Sequence, residues 1–121
     1  MSSENISSLR PFFDGSDYPY WKFKIELYLD SDSIKLWDIV CKGWEPPKAT
    51  VNGIKTIVER DNWSAIHQEG NHKNKKAMIT IVSSMSREEG VKLQYCSLAK
   101  EIWQTLENYY ESNVQVRSKK F

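Results

Sequence analysis

Residues 97–111 read SLAKEIWQTLENYYE and carry the strongest pattern in the chain. Apolar side chains recur there three or four positions apart, which is the period of an α-helix with one buried face. These side chains are Ala99, Ile102, Trp103, Leu106, Tyr109 and Tyr110. Ser97 is predicted to cap the helix, because a serine oxygen can accept from free backbone N–H groups. A helix face this apolar must be covered by other side chains, and we expect the rest of the chain to supply that core.

A second strong stripe lies upstream and predicts a helix beginning near Asp17. Its carboxylate can serve as the cap, and Pro19 is tolerated in a first turn. The apolar stripe consists of Tyr18, Trp21, Ile25 and Leu29. Residues 31–33, Ser-Asp-Ser, are expected to end this helix and to cap the next.

Residues 34–41 predict a short helix whose apolar face holds Ile34, Trp37 and either Val40 or Cys41. Gly43 should end it, and Pro46 and Pro47 forbid its continuation. Residues 44–57 are predicted to form a long loop. A small hairpin at Asn52-Gly53 is the less favoured alternative, because no long alternating strand flanks that turn.

The region from Asp61 to Tyr95 predicts further helices. Asp61 is the expected cap of a helix containing Trp63 and Ile66. The pattern weakens at Gly70-Asn71 and resumes with Ala77, Ile81 and Met85, so one long helix or two are both compatible with it. Residues 86–89, Ser-Arg-Glu-Glu, match a capping box that would begin a short helix reaching about Tyr95.

Length and composition fit one domain with a real core. The chain has 121 residues, of which 40% are hydrophobic, and it includes five Trp. The expected fold class is all-α, a compact bundle of five to six short helices with one long loop at residues 44–57. The bundle should occupy residues 11–121 after a flexible lead-in at residues 1–10. Residues 112–121 could begin another helix.

Charge and motifs argue against several classes of function. A net charge of +1 is too small for a dedicated nucleic-acid-binding domain. No signal peptide or membrane span is recognisable, so a cytoplasmic protein is expected, with the nucleus not excluded. Cys41 and Cys96 form no C-x-x-C pair, and His67 and His72 lack the H-E-x-x-H spacing. We therefore expect no enzyme, metal, cofactor, membrane or small-molecule substrate.

Tryptophans and lysines supply the candidate contact residues. Trp21, Trp37, Trp63 and Trp103 are interpreted as core side chains, because they fall in predicted helices. Trp44 stands apart beside Gly43: either it packs over the end of the short helix at residues 34–41, or it is exposed as a candidate contact for a partner. The basic cluster of Lys73, Lys75 and Lys76 favours a solvated helix face, with a weak hold on RNA as the alternative.

Four segments in series resemble the Gag polyprotein of copia-type LTR retrotransposons. FDGSDYPYW, residues 13–21, is similar to its F-x-G-x-N-Y-x-x-W opening, with an aspartate in the usual Asn place. LWDIVCKGWEPP, residues 36–47, is similar to L-W-D-x-V-x-x-G-aromatic…P. Ala77 with Ile81, and residues 97–111, look like its A-x-x-x-I and A-K-E-x-W-x-x-L-x-x-x-Y helices. Residues 114–121, VQVRSKKF, look like the start of its next helix.

The resemblance implies the N-terminal lobe of a capsid region, cut before a second lobe. Such a protein assembles with copies of itself into a particle shell around the element's RNA. In that family a zinc knuckle, which is absent from this chain, would bind the RNA. The alternative is a host-domesticated Gag-derived adaptor or weak RNA-binding module. The positions that carry the family motif or core are Phe13, Gly15, Tyr18, Trp21, Leu36, Trp37, Val40, Gly43, Pro47, Ala77, Ile81, Ala99, Trp103, Leu106 and Tyr110.

Overall fold

The computed structural model describes residues 10–111 and shows a mostly helical chain. All of the predicted lead-in except Arg10, and the helix predicted in residues 112–121, lie outside the described residues. The α-helices are α1 (Tyr18–Asp30), α2 (Leu36–Lys42), α3 (Ala65–Ser83), α4 (Arg87–Val91) and α5 (Ala99–Tyr110). Between α2 and α3 lie strands β1 (Lys48–Val51) and β2 (Ile54–Ile57) and a 3-10 helix (Arg60–Asn62).

The hairpin corrects two predictions, the long loop at residues 44–57 and the strictly all-α fold class. Strands β1 and β2 pair antiparallel, with Val51 opposite Ile54 next to the turn. Asn52 and Gly53 have φ of 53° and 78°, the left-handed backbone that a two-residue type I′ turn requires. Both strands are exposed along their whole length. The turn residues therefore form the hairpin without the alternating burial that usually reveals a strand.

The core lies where α1, α2, α3 and α5 pack together. The predicted stripe of α1 is buried, and so are four of the six apolar residues predicted on α5. Trp21 and Trp103 are almost fully buried, while Trp37 is half-buried and its ring meets that of Trp103 edge-on at 5.2 Å. Buried residues come from Phe13 through to Leu106, so a single cluster joins elements from both ends of the described chain.

Phe13 ties the segment before α1 into this core. Its ring is fully buried and stacks on Trp21 at 4.9 Å. Its backbone N–H donates to the Ser84 carbonyl at 2.7 Å, and its carbonyl accepts from the Ser86 N–H at 2.8 Å. The segment before α1 is therefore held by backbone as well as by side chain.

Two predicted aspartate caps are wrong. Asp17 occupies the cap position of α1, but with a left-handed φ of 54° and no side-chain cap hydrogen bond. Asp61 lies in the 3-10 helix, and the cap of α3 is Ser64, whose Oγ accepts from the His67 N–H. Helix α3 consequently begins at Ala65.

The start of α5 also differs from the prediction, because Leu98 rather than Ser97 occupies the cap position. The Glu101 carboxylate reaches back and accepts from the N–H groups of Ser97 and Leu98, at 2.9 and 3.1 Å. The helix start is therefore stabilised from inside the first turn.

Only half of the capping box at the start of α4 forms. The Ser86 Oγ accepts from the Glu89 N–H, but the Glu89 carboxylate binds Lys92 and Tyr110 instead of returning to Ser86. The Ser86 N–H is already engaged by Phe13. Helix α4 ends at Val91 and does not reach Tyr95.

The ambiguous third region is one helix, because α3 runs unbroken through Gly70. Trp63 precedes this helix and is only half-buried, so the prediction that it belongs to the main core is wrong. Ile66 lies on the helix but is 79% exposed. In the short second helix, Val40 is the buried residue and Cys41 is exposed. Gly43 ends that helix with a φ of 81°, as predicted.

Candidate functional site

Trp44 packs directly on helix α3 at Gly70. A Cβ atom placed on Gly70 would lie 2.2 Å from the Trp44 Nε1, closer than any side chain could tolerate. In the sequence this glycine marks only a point where the helical pattern weakens. Gly70 is inside the helix because only a residue without a side chain lets the indole approach the backbone.

Trp63 completes a small aromatic corner with Trp44. The two rings meet edge-on, with centroids 5.7 Å apart. The Trp63 Nε1–H donates to the Val58 carbonyl at 2.7 Å, which fixes the ring beside the base of the hairpin. The Arg60 guanidinium lies 5.6 Å from the Trp63 ring centroid, within cation–π range.

A cavity of about 350 Å³ opens beside this corner, and we call it the tryptophan groove. It lies between the base of the hairpin, the 3-10 helix, α3 and the segment before α5. Its lining residues are Trp44, Glu45, Pro46, Lys48, Ile57, Arg60, Trp63, Asn71, Lys75, Ser97 and Leu98. A neighbouring cavity shares Arg60, Trp63, Asn71 and Lys75 with it.

The predicted basic cluster does not act as one unit. Lys75 lines the tryptophan groove together with Trp44. Lys73 forms an ion pair with Glu69 at 3.3 Å, and Lys76 is exposed on α3 and lines neither the groove nor its neighbour. The structure therefore unites Trp44 with one of the three lysines.

Sequence reasoning missed three residues of the groove: Lys48, Arg60 and Asn71. Lys48 is brought there by the hairpin, which the sequence analysis did not favour. Arg60 precedes Trp63 by one turn, and that spacing was the one local signal available for the pair. Asn71 lies where the predicted helical pattern weakens, and nothing in the local sequence marks it as buried.

A second candidate surface lies on the outer side of α1, and we call it the outer stripe. Tyr20, Phe23 and Leu27 are 58%, 58% and 56% exposed, although all three are large and apolar. They follow helical spacing on the face opposite the buried stripe. Sequence analysis treated this helix as having one apolar face, yet the same three- and four-residue spacing could have revealed the second.

An ion pair joins α1 to the end of α5 beside the outer stripe. The Lys22 Nζ lies 2.5 Å from the Glu111 carboxylate and 3.5 Å from that of Glu107, and the Tyr18 hydroxyl donates to Glu111 at 2.7 Å. Burial alone would raise the pKa of Glu111, but the bonds from Lys22 and Tyr18 outweigh it and lower that pKa. Burial, followed by the bond to Glu111, raises the pKa of Tyr18. The arrangement holds two helices together and exposes no reactive group.

Glu89 is the most buried carboxylate in the described residues and also serves packing. It accepts from Lys92 at 3.1 Å and from the Tyr110 hydroxyl. Burial, then the bond to Glu89, raises the pKa of Tyr110. The sequence pattern gave Glu89 a role only in the capping box of residues 86–89. The structure adds that it links α4 to α5.

The remaining polar candidates are dispersed. Within residues 10–111 no group of three His, Cys, Asp or Glu side chains could hold a metal ion, and no helix is long and apolar enough to cross a bilayer. His67 bonds to Ser64, and the Cys96 Sγ lies 3.6 Å from the Thr105 Oγ1.

No family model, curated protein or solved structure matches this chain. The tryptophan groove and the outer stripe are thus the two surfaces from which function can be argued.

Proposed function

We propose that this chain is a capsid-like self-assembly domain of a copia-type retrotransposon Gag protein, forming part of a cytoplasmic particle shell that packages element RNA. The observation that carries the proposal is the double-sided α1. Its inner stripe builds the core, while its outer stripe exposes three large apolar side chains. Such a patch on a small domain is typical of an interaction surface. We assign a second copy of the chain as its occupant.

The positions behind the family resemblance have structural roles consistent with this proposal. Phe13, Trp21, Ala77 and Trp103, far apart in the sequence, meet in one core. The motif glycine Gly15 has a φ of 100°, a conformation that favours glycine. These roles fit the N-terminal lobe of a capsid region.

The backbone also explains the residues at two further motif positions, Asp17, which departs from the family pattern, and Pro47, which matches it. Asp17 stands where the family has Asn and is left-handed, a conformation that both residue types adopt more readily than others. Pro47 presents its carbonyl to the Val58 N–H at 2.9 Å, closing the base of the hairpin. The aspartate is therefore a conservative departure.

Replacement of Phe23 and Leu27 by glutamate tests the assembly proposal. Two carboxylates on the outer stripe should abolish concentration-dependent association, because burying them against a second copy carries a desolvation cost. Sedimentation velocity and light scattering over a range of concentrations would measure it. Ile66→Glu is the matched control, since Ile66 is exposed, apolar and on another helix. A wild-type chain that stays monomeric at high concentration, or equal loss in the control, would contradict the proposal.

The second candidate function is a Gag-derived adaptor or weak RNA-binding module. It is favoured by the meeting of Trp44, Trp63 and Lys75 in one groove. Titration with RNA at low salt, comparing wild type with a chain carrying glutamate at Lys73, Lys75 and Lys76, tests it. Binding that weakens with salt and is lost in the variant supports this function.

A further inference from the structure

Asn71 is the buried polar side chain whose environment needs explaining. It is only 9% exposed, yet its carboxamide has no hydrogen-bond partner among residues 10–111. None of its polar atoms is sealed from solvent, so the amide reaches the cavities that Asn71 lines. A carboxamide that is mostly buried, has no partner inside the protein and is open to a cavity can bond to a group that enters that cavity.

Asn74, one helical turn further along α3, shows what a satisfied asparagine looks like here. Its Oδ1 accepts from the Ala99 N–H at 2.8 Å, and its Nδ2 donates to the Ser97 carbonyl at 3.2 Å. Asn74 thereby attaches α3 to the start of α5. Asn71 makes no comparable connection, so no internal hydrogen bond accounts for an amide at this position.

Trp44 adds a second open polar group to the groove. Its Nε1–H has no acceptor within the described part of the chain and is not sealed from solvent. The close approach to Gly70 fixes where this ring lies. Trp44 and Asn71 therefore both line one groove, and neither the indole N–H of one nor the carboxamide of the other has a partner among residues 10–111.

Charged side chains around the groove favour a ligand with a small negative charge. Lys48, Arg60 and Lys75 line it, with Glu45 as the one carboxylate; the neighbouring cavity adds Asp61 and the imidazole of His72. Three cations against two carboxylates leave a modest positive excess. That balance suits one phosphate better than a polyphosphate.

The uncharged groups distinguish a nucleotide from an acidic peptide. A carboxamide presents a donor and an acceptor side by side, which matches the edge of a nucleobase. A carboxylate ligand would use the donor but would repel the Asn71 oxygen. Half-buried Trp rings offer the aromatic surface on which bases of single strands rest. A cavity of about 350 Å³ lies in the range of small-ligand sites.

We propose that the tryptophan groove binds a nucleotide, either free or as one unit of a single-stranded nucleic acid. The base contacts Trp44, Trp63 and the Asn71 carboxamide, and the phosphate contacts Arg60 and Lys75. This inference specifies the ligand of the second candidate function. It is independent of self-assembly, because the outer stripe lies on a different helix.

Nuclear magnetic resonance of the indole N–H groups tests the proposal directly. Adenosine monophosphate and a short oligoadenylate are titrated separately into the labelled chain. We expect the Trp44 and Trp63 signals, assigned by Trp→Phe variants, to shift with saturation while the buried Trp21 signal stays in place. Shifts with both probes indicate a free-nucleotide site, and shifts with the oligomer alone indicate a strand site; either supports the proposal.

Matched variants separate the groove from general charge attraction. Asn71→Ala should weaken binding about ten-fold, the loss expected on removing one paired base contact. Lys75→Glu should also weaken it, whereas Lys76→Glu makes the same charge change on the same helix outside the groove and should have little effect. Arg60→Glu provides a second surface variant if Asn71→Ala does not fold.

Two outcomes would overturn the nucleotide site. One is that neither probe shifts the two indole signals. The other is that Lys75→Glu and Lys76→Glu weaken binding equally while Asn71→Ala has no effect, which would mean attraction by general charge only. Sedimentation of the same samples reports assembly separately, so failure of the groove would not be mistaken for failure of the assembly proposal.

Discussion

At the scale of single residues, Gly70 shows how one missing side chain can set the position of another. Alanine normally stabilises a helix interior relative to glycine by about 1 kcal/mol. At this position the added Cβ would collide with the Trp44 indole. The ordinary preference for alanine over glycine in a helix interior is therefore expected to reverse at position 70.

Gly70→Ala should lower the free energy of unfolding by about 1–3 kcal/mol, the usual cost of overpacking. Urea denaturation would measure the change. Gly90→Ala is the control, because its Cβ would sit 3.6 Å from the Val82 Cγ1, an ordinary contact. That variant should gain roughly 0.5–1 kcal/mol. A Gly70→Ala chain as stable as wild type would show that Trp44 is not held against the helix.

Asn74→Ala should cost about 1–3 kcal/mol of unfolding free energy, because it leaves two backbone groups without their partners, one of them buried. These groups are the Ala99 N–H and the Ser97 carbonyl. Asn71→Ala removes no internal hydrogen bond and should cost much less. Thermal unfolding of both variants would measure the difference, and equal losses would refute the distinct roles given to the two asparagines.

At the scale of elements, the start of α5 is held by a carboxylate inside the helix. Glu101 accepts from the Ser97 and Leu98 N–H groups and from the Ser97 Oγ at 3.2 Å. The backbone bond from Ser97, which exceeds the opposing effect of burial, is the main cause of its lowered pKa.

Glu101→Ala should destabilise the chain by about 0.5–2 kcal/mol, the range measured for losing a helix cap. Gln104→Ala, one turn further along the exposed side of α5, should have almost no effect. Chemical denaturation with circular dichroism would compare them. Equal stability of the two variants would mean that the three hydrogen bonds contribute nothing.

Elements with one buried face were the most predictable from sequence. The stripes of α1 and α5 identified those helices because burial imposes a helical period on side chains. Their starts were less predictable, because Asp17 occupies the cap position of α1 without a side-chain bond and Leu98 takes the place predicted for Ser97 at α5. The hairpin was underrated because it has no buried face at all.

The groove was the least predictable feature. Trp44, Arg60, Asn71 and Lys75 come from three different segments, the last two from α3, and only the packed fold brings them together. Sequence reasoning singled out Trp44 and Lys75 by residue type, but it could not pair them or separate Lys75 from Lys73 and Lys76. A contact between two distant segments imposes no repeating pattern on the sequence of either segment.

At the scale of the whole molecule, the ion pair between α1 and α5 makes stability depend on pH. Glu111 has a lowered pKa in the folded chain, against an ordinary value of 4.5. Its contribution is therefore present above about pH 4.5 and is lost as the pH falls through the lowered folded value.

Glu111→Gln should reduce stability near neutral pH by roughly 0.5–1 kcal/mol, a figure discounted for a carboxylate that is 38% exposed. In acid the variant should match wild type, because protonation has already removed the charge there. Unfolding measured across the acid range would test this. A loss of stability that persisted unchanged at low pH would point to packing rather than charge.

The tip of the hairpin gives this molecule a place that can change without cost to the core. None of its eight strand residues belongs to the core cluster, and its tip projects Asn52 and Gly53 into solvent. Foreign peptides grafted at an exposed tip of this kind are usually tolerated. An epitope or a fluorophore-binding tag inserted between these two residues would label any assembly that the chain forms. It would leave the outer stripe and the tryptophan groove unobstructed.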